Sequence, residues 1–225
     1  MLSQGFRCLA IDTASDAPNV AACNGELIAT RAVDEGGRTE QIFRLVDAVL
    51  AETGLELGML DCVAVGRGPG SFTGLRVGVA AAQALAFGAD LPVCPVSSLA
   101  ALALGAGRRV GAEHVVAALD ARMGEVYAGG YLLSGEAIAE TDPDVVSAPD
   151  KLQLSGEHAF LAAGPGWSAC PELATRFGDR LSGIDDRARP EAADILLLAR
   201  AEFEQGELMS ATAALPVYLR DRVTG

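Results

Sequence analysis

The sequence predicts an α/β fold built twice over, as two mixed-sheet subdomains spanning residues 1–104 and 105–225. Three observations predict it. Ala10-Ile11-Asp12-Thr13-Ala14 leads to a strand and then to Asn24-Gly25-Glu26, while Ala118-Leu119-Asp120-Ala121-Arg122 leads to a strand and then to Ser134-Gly135-Glu136. The aspartates are 108 residues apart and the glycines 110, so one small insertion reconciles two copies of a strand-Asp-turn-strand-Gly-strand unit. Stretches of helical and strand periodicity then alternate along the first half. Finally, Gly66 to Gly78 joins an apolar strand to an almost wholly apolar helix through a glycine-dense turn. Chance similarity between two hairpins is the alternative to a true repeat, since the element is common.

Element by element, Phe6 to Asp12 reads as a strand, Asn19 to Cys23 as a second, and Asn24-Gly25 as a hairpin turn into a third at Glu26 to Val33. Thr39 is placed to cap a helix to about Thr53, whose Ile42, Leu45, Val46, Val49 and Leu50 follow the stripe of a core-facing helix. A strand at Asp61 to Gly66 precedes the glycine loop, where Thr73 stands at the expected cap of a helix running to Phe87. A strand at Pro92 to Val96 and a helix from Ser97 to about Leu104 follow. Gly105 to Gly111, rich in glycine and arginine, reads as the linker between subdomains.

Composition narrows the function classes. Half of the 225 residues are hydrophobic, enough for a substantial core. No apolar run reaches the ~18 residues of a membrane span, and the N-terminus lacks the pattern of a signal peptide, so a cytoplasmic protein is expected. Cys8, Cys23, Cys62, Cys94 and Cys170 are scattered without a C-x-x-C pair and read as buried apolar residues. The formal charge is −13, and Lys151 and sixteen arginines form no basic run, which argues against direct binding of nucleic acid. The glycine loop has two readings, a tight strand-to-helix turn and an anion cradle at a helix N-terminus. It lacks the Lys of a G-x-x-x-x-G-K-[ST] loop and fits no G-x-G-x-x-G window.

The run Gly66-Arg67-Gly68-Pro69-Gly70-Ser71-Phe72-Thr73-Gly74-Leu75-Arg76-Val77-Gly78 closely resembles the signature of the TsaB (YeaZ) family. Leu9 to Ala14, Leu119 to Tyr127 and the C-terminal Pro216-Val217-Tyr218-Leu219-Arg220 match its other landmarks, so the likeness covers essentially the whole chain. The resemblance implies a duplicated RNase H-like/actin-like ATPase fold, in which Asp12 and Asp120 stand on opposite walls of a nucleotide cleft. Asp12, Thr13, Ser15, Asp120, Ala121 and Arg122 are then the candidate residues for weak ATP or ADP binding with Mg²⁺, with no cofactor held tightly. The plainer reading has both aspartates capping their own turns. Arg38 departs from the family, standing where many relatives have His.

The resemblance further implies a non-catalytic scaffold for the machinery that places threonylcarbamoyl on the tRNA adenosine beside the anticodon. Its partners would be a TsaD-like transferase and a TsaE-like ATPase, tRNA would be met only through the complex, and the chain alone would form a homodimer. The residues agree in what they lack. The metal-binding relative uses two histidines at i and i+4, whereas His114 and His158 are far apart in sequence and read as structural. Ser71 misses G-x-S-x-G, and Cys94 lies in an apolar strand without a cationic neighbour. No catalytic or metal-ligating residue is assigned, and the alternative is an ATPase, kinase or peptidase acting from Asp12 and Asp120. Between Leu75 and Phe87 only Arg76 and Gln83 are strongly polar, so the helix is apolar nearly all round. Complete burial under helix 39–53 is one reading. Pairing with TsaD or a second copy is the other, with Leu75, Arg76, Val79, Ala82, Gln83 and Ala86 as contacts.

Overall fold

In the computed structural model, which describes residues 5–33 and 41–220, the chain forms two units, residues 1–98 with 190–216 and residues 99–189 with 217–225. The first unit is centred on β1 (Arg7–Asp12), an apolar run buried on both faces as a strand covered by helices on either side must be. It pairs antiparallel with β2 (Asn19–Asn24), which pairs antiparallel with β3 (Leu27–Ala32). On its other side β1 runs parallel to β4 (Cys62–Gly68), and β4 to β5 (Val93–Ser97), giving the order β3-β2-β1-β4-β5.

Alternation sends Leu9, Ile11, Val63 and Val65 into one core cluster with α1 (Ile42–Thr53) and α2 (Phe72–Gly88). The stripe anticipated on α1 holds, with Ile42, Val46, Val49 and Leu50 buried. Thr39 and Arg38, the expected cap and the departure from the family, lie outside the described residues. α2 starts one residue after Ser71, whose Oγ accepts from the Gly74 amide at 3.2 Å, so Ser71 and not Thr73 is its cap. Ser71→Ala should lower the unfolding free energy by about 1 kcal/mol, read from urea melts, because one amide loses its partner.

The second unit repeats this topology. β6 (His114–Arg122), β7 (Glu125–Ser134) and β8 (Ala137–Ser147) form the antiparallel trio, and β9 (Phe160–Ala163) and β10 (Leu181–Asp185) extend it in parallel, in the order β8-β7-β6-β9-β10. The duplication read from the two aspartates is therefore a duplication of whole sheets. Val116, Ala118, Phe160 and Ala162 pack with Trp167 of α4 (Gly166–Ala169) and with Leu173 and Phe177 of α5 (Glu172–Phe177). Trp167 Nε1 donates to Val116 O at 3.1 Å, which satisfies its one buried donor.

The boundary differs from the one expected. Residues 105–110 are not a linker but continue α3 (Ser98–Val110), with Ala101, Leu102, Leu104 and Ala106 fully buried. Gly107 is there for close packing, since a methyl on it would stand 2.5 Å from Leu133 Cδ2. Arg108 and Arg109 occupy the last turn, where positive charge complements the free carbonyls. The division falls at Ser98 and Leu99, and residues 190–216, including α6 (Ala192–Gln205), return to the first unit against β1, β2, β4 and β5.

Candidate functional site

Asp12 closes β1 and is fully buried. Its Oδ1 lies against Gly66 of β4, where a methyl would come within 2.7 Å of it. That same point is walled by Ser98 Oγ at 3.2 Å and Ile195 Cδ1 at 3.4 Å. Neither carboxylate oxygen has a hydrogen-bond partner. Burial pushes the carboxyl from the ordinary 3.8 up to about 7, and the nearby amides of Ala14 and Thr13 pull the other way.

The residues after Asp12 explain the glycine loop. Ser71 N donates to Ala14 O at 2.8 Å, and Thr13 Oγ1 donates to Gly74 O at 2.8 Å. A methyl on Gly70 would stand 2.5 Å from Ala14 O, one on Gly74 2.1 Å from Thr13 O, and one on Gly78 2.1 Å from Thr13 Oγ1. Gly66, Gly70, Gly74 and Gly78 thus form a seam with a spacing of four residues, in which Gly70 and Gly74 meet the backbone of the turn after β1 and Gly66 and Gly78 meet the side chains of Asp12 and Thr13. The glycines serve this approach. Ser71 N and Gly74 N are already engaged, as is Leu75 N with Ser71 O at 2.9 Å.

In the second unit Asp120 follows the plainer of its two readings. Its Oδ1 accepts from Arg122 N at 2.7 Å and its Oδ2 pairs with the Arg122 guanidinium at 3.0 Å. The turn is left-handed at Arg122, Met123 and Gly124, with φ of 63, 58 and 75°, a conformation that an aspartate bonded to the amide two residues on supports. Ala121 is buried, and Ser15, in the first unit, uses its Oγ to accept from Ala17 N at 3.3 Å. Asp12 is thus enclosed, whereas Asp120 keeps a side chain 29% exposed and is engaged by Arg122.

The expected contact face of α2 is corrected. Leu75, Val79, Ala82 and Ala86 are buried in the unit's own core, and Gln83 is half-buried with Nε2 donating to Ala214 O at 2.9 Å. Ala211 and Ala214, brought back from the far end of the chain, belong to the core cluster that includes Val79 and Ala82. Of the six expected contacts Arg76 alone is exposed. The outward stripe is instead Phe72, Arg76, Ala80, Ala84 and Phe87, with Phe72 48% and Phe87 74% exposed and the Arg76 guanidinium 3.6 Å from the Phe72 ring centre. Sequence reasoning missed these because a helix apolar on every side does not reveal which side its own chain covers.

His114 and His158 stack in parallel, with ring centres 4.6 Å apart and planes within 6°. Among the described residues no group of three or more His, Cys, Asp or Glu side chains is arranged to hold a metal ion. Cys94 donates to Glu202 Oε2 at 3.0 Å, a part-buried pair that the sequence did not signal. Burial and the Glu202 charge push its thiol far up, against a smaller opposing pull from Arg67, so it is no activated nucleophile. Ser71 is spent as a helix cap. Arg220 of the C-terminal landmark pairs with the Glu125 carboxylate.

A model of the family described as "TsaD: tRNA N6-adenosine threonylcarbamoyltransferase" matches residues 37–224. The tRNA threonylcarbamoyladenosine biosynthesis protein TsaB of Haemophilus influenzae is 40% identical over 98% of this chain and 96% of its own length. The protein of that name from Escherichia coli is 41% identical over 97% and 96%. The solved structure of YeaZ from Pseudomonas aeruginosa superimposes with a TM-score of 0.85 at 35% identity, covering 95% of this chain and 100% of its own.

Proposed function

Because the chain belongs to the TsaB family, and so to tRNA threonylcarbamoyladenosine biosynthesis, we propose that it acts there as a non-catalytic scaffold that pairs with a TsaD-like transferase through the outward stripe of α2. The observation that carries this is the stripe itself. Two exposed phenylalanines bracket Ala80 and Ala84, which are small enough for a second helix to approach closely. A TsaD chain has a matching occupant to offer, since the family model that matches residues 37–224 here is that of the transferase and implies an equivalent helix. Two such helices pack about a two-fold or pseudo-two-fold axis, so the same face serves a homodimer when the chain is alone.

The remaining assignments follow from this role. The complex works in the cytoplasm with a TsaE-like ATPase. tRNA is held by the partners, because a chain of net charge −13 without a basic run has nothing with which to displace phosphate counterions. Any ATP or ADP with Mg²⁺ at the Asp12 or Asp120 turn binds weakly.

Ala84→Arg tests the pairing. Ala84 is exposed, so the variant should melt within the roughly ±0.5 kcal/mol expected of a surface change. Burying its unpaired charge at a helix contact should weaken co-purification with the TsaD-like chain by at least ~30-fold, which corresponds to about 2 kcal/mol. Undiminished co-purification, with unchanged mass by light scattering, would refute the reading.

A further inference from the structure

Thr13 is fully buried just beyond β1 and enters the side of α2. Its Oγ1 donates to Gly74 O at 2.8 Å, and its side chain fills the space left by two glycines one helical turn apart. A methyl on Gly78 would stand 2.1 Å from Thr13 Oγ1, 3.2 Å from its Cβ and 3.3 Å from its Cγ2, and one on Gly74 would stand 2.1 Å from Thr13 O. The obstructing atoms are a backbone carbonyl and a β-branched side chain with few rotamers, so neither can yield cheaply. Neither glycine has a positive φ, and glycine within a helix is otherwise unfavourable relative to alanine. Closeness is what these positions provide. The adjacent tie from Ser71 N to Ala14 O holds the start of the same helix.

We propose that Thr13 is a positioning residue for assembly: seated in the notch between Gly74 and Gly78, it sets the depth and rotation of α2 and so the outward angle of Phe72, Arg76, Ala80 and Ala84. The inference rests on the pairing reading above and extends it. Close-packed interiors transmit displacement instead of absorbing it, so a shift at the notch reaches the stripe on the opposite side of the same helix. Whatever displaces the turn Asp12 to Ala14 also moves the pairing helix.

The test is the dissociation constant of the homodimer and of the complex with a TsaD-like chain, with thermal midpoints measured alongside. Thr13→Val keeps the shape and removes the donor, and should weaken both pairings about tenfold while the midpoint falls by only a few degrees. Thr13→Ser retains the hydroxyl and should restore wild-type pairing. Gly78→Ala should weaken pairing by more than about tenfold, and adding Thr13→Ala, which removes the obstructing Oγ1 and Cγ2, should bring it back only to the roughly tenfold loss expected for the missing donor. If Gly78→Ala does not fold, the Val and Ser variants of Thr13 decide. A fall in midpoint with unchanged dissociation constants for the folded protein overturns the proposal, as does failure of Thr13→Ser to rescue. Arg76→Glu separates the two levels. If it leaves pairing intact, the α2 interface is wrong and the inference falls with it; if it abolishes pairing while Thr13→Val does not, only the positioning role is lost.

Discussion

Ala82→Arg is expected to unfold the first unit. Ala82 is fully buried, in a cluster that includes Val63, Val65, Val79 and Ala211. A guanidinium there has no carboxylate partner and no route to water, and an uncompensated charge in such surroundings costs about 5 kcal/mol or more. That is comparable to the ~5–15 kcal/mol by which a whole domain is stable. Circular dichroism should show loss of the cooperative melt, whereas Ala84→Arg, two residues further along the same helix and exposed, should keep it. A wild-type melting curve for Ala82→Arg would mean that this side of α2 is not core.

The second large effect is a dependence of stability on pH that passes through Asp12. Its carboxyl is raised from 3.8 to about 7 by burial. Between these values the folded chain retains the proton and the unfolded chain has released it, so stability falls as pH rises from about 4 to about 7 and is level above that. The total is on the order of 4 kcal/mol for a shift of this size. Asp12→Asn removes this titration. Measured as unfolding free energy in urea, the difference between Asp12→Asn and wild type should therefore move in favour of the variant by that amount between pH 4 and pH 8. A difference that stays constant across this range would show that Asp12 is ionised in the fold at ordinary cost.

These results are a measure of what local pattern conveys. The strands β1 to β5, the stripe on α1 and the repeat of the Asp12 hairpin at Asp120 all appear where periodicity and turn residues put them, within a residue or two. Each depends on spacing between near neighbours, which the chain displays directly. The glycine seam was visible as a dense run, and even its spacing of four is legible. Its purpose was not, because the atoms that require it belong to Thr13 and Ala14, some sixty residues earlier.

By itself, then, the sequence determined the α/β class, the duplication and the membership of the TsaB family, since all three are carried by motifs and periods in short stretches of chain. Tertiary structure alone decided which side of α2 is core, because Ala211 and Ala214 return from the far end of the chain to cover it. It likewise decided that residues 105–110 continue a helix, because buried contacts at Ala101, Leu102, Leu104 and Ala106 outweigh the local preference of two glycines for a loop. The fates of the two aspartates also diverged there: equivalent in the repeat, one is enclosed without a partner beside Gly66, and the other is bonded to the arginine two residues beyond it. Burial is a sum over contacts distant in sequence, and no window of the chain contains it.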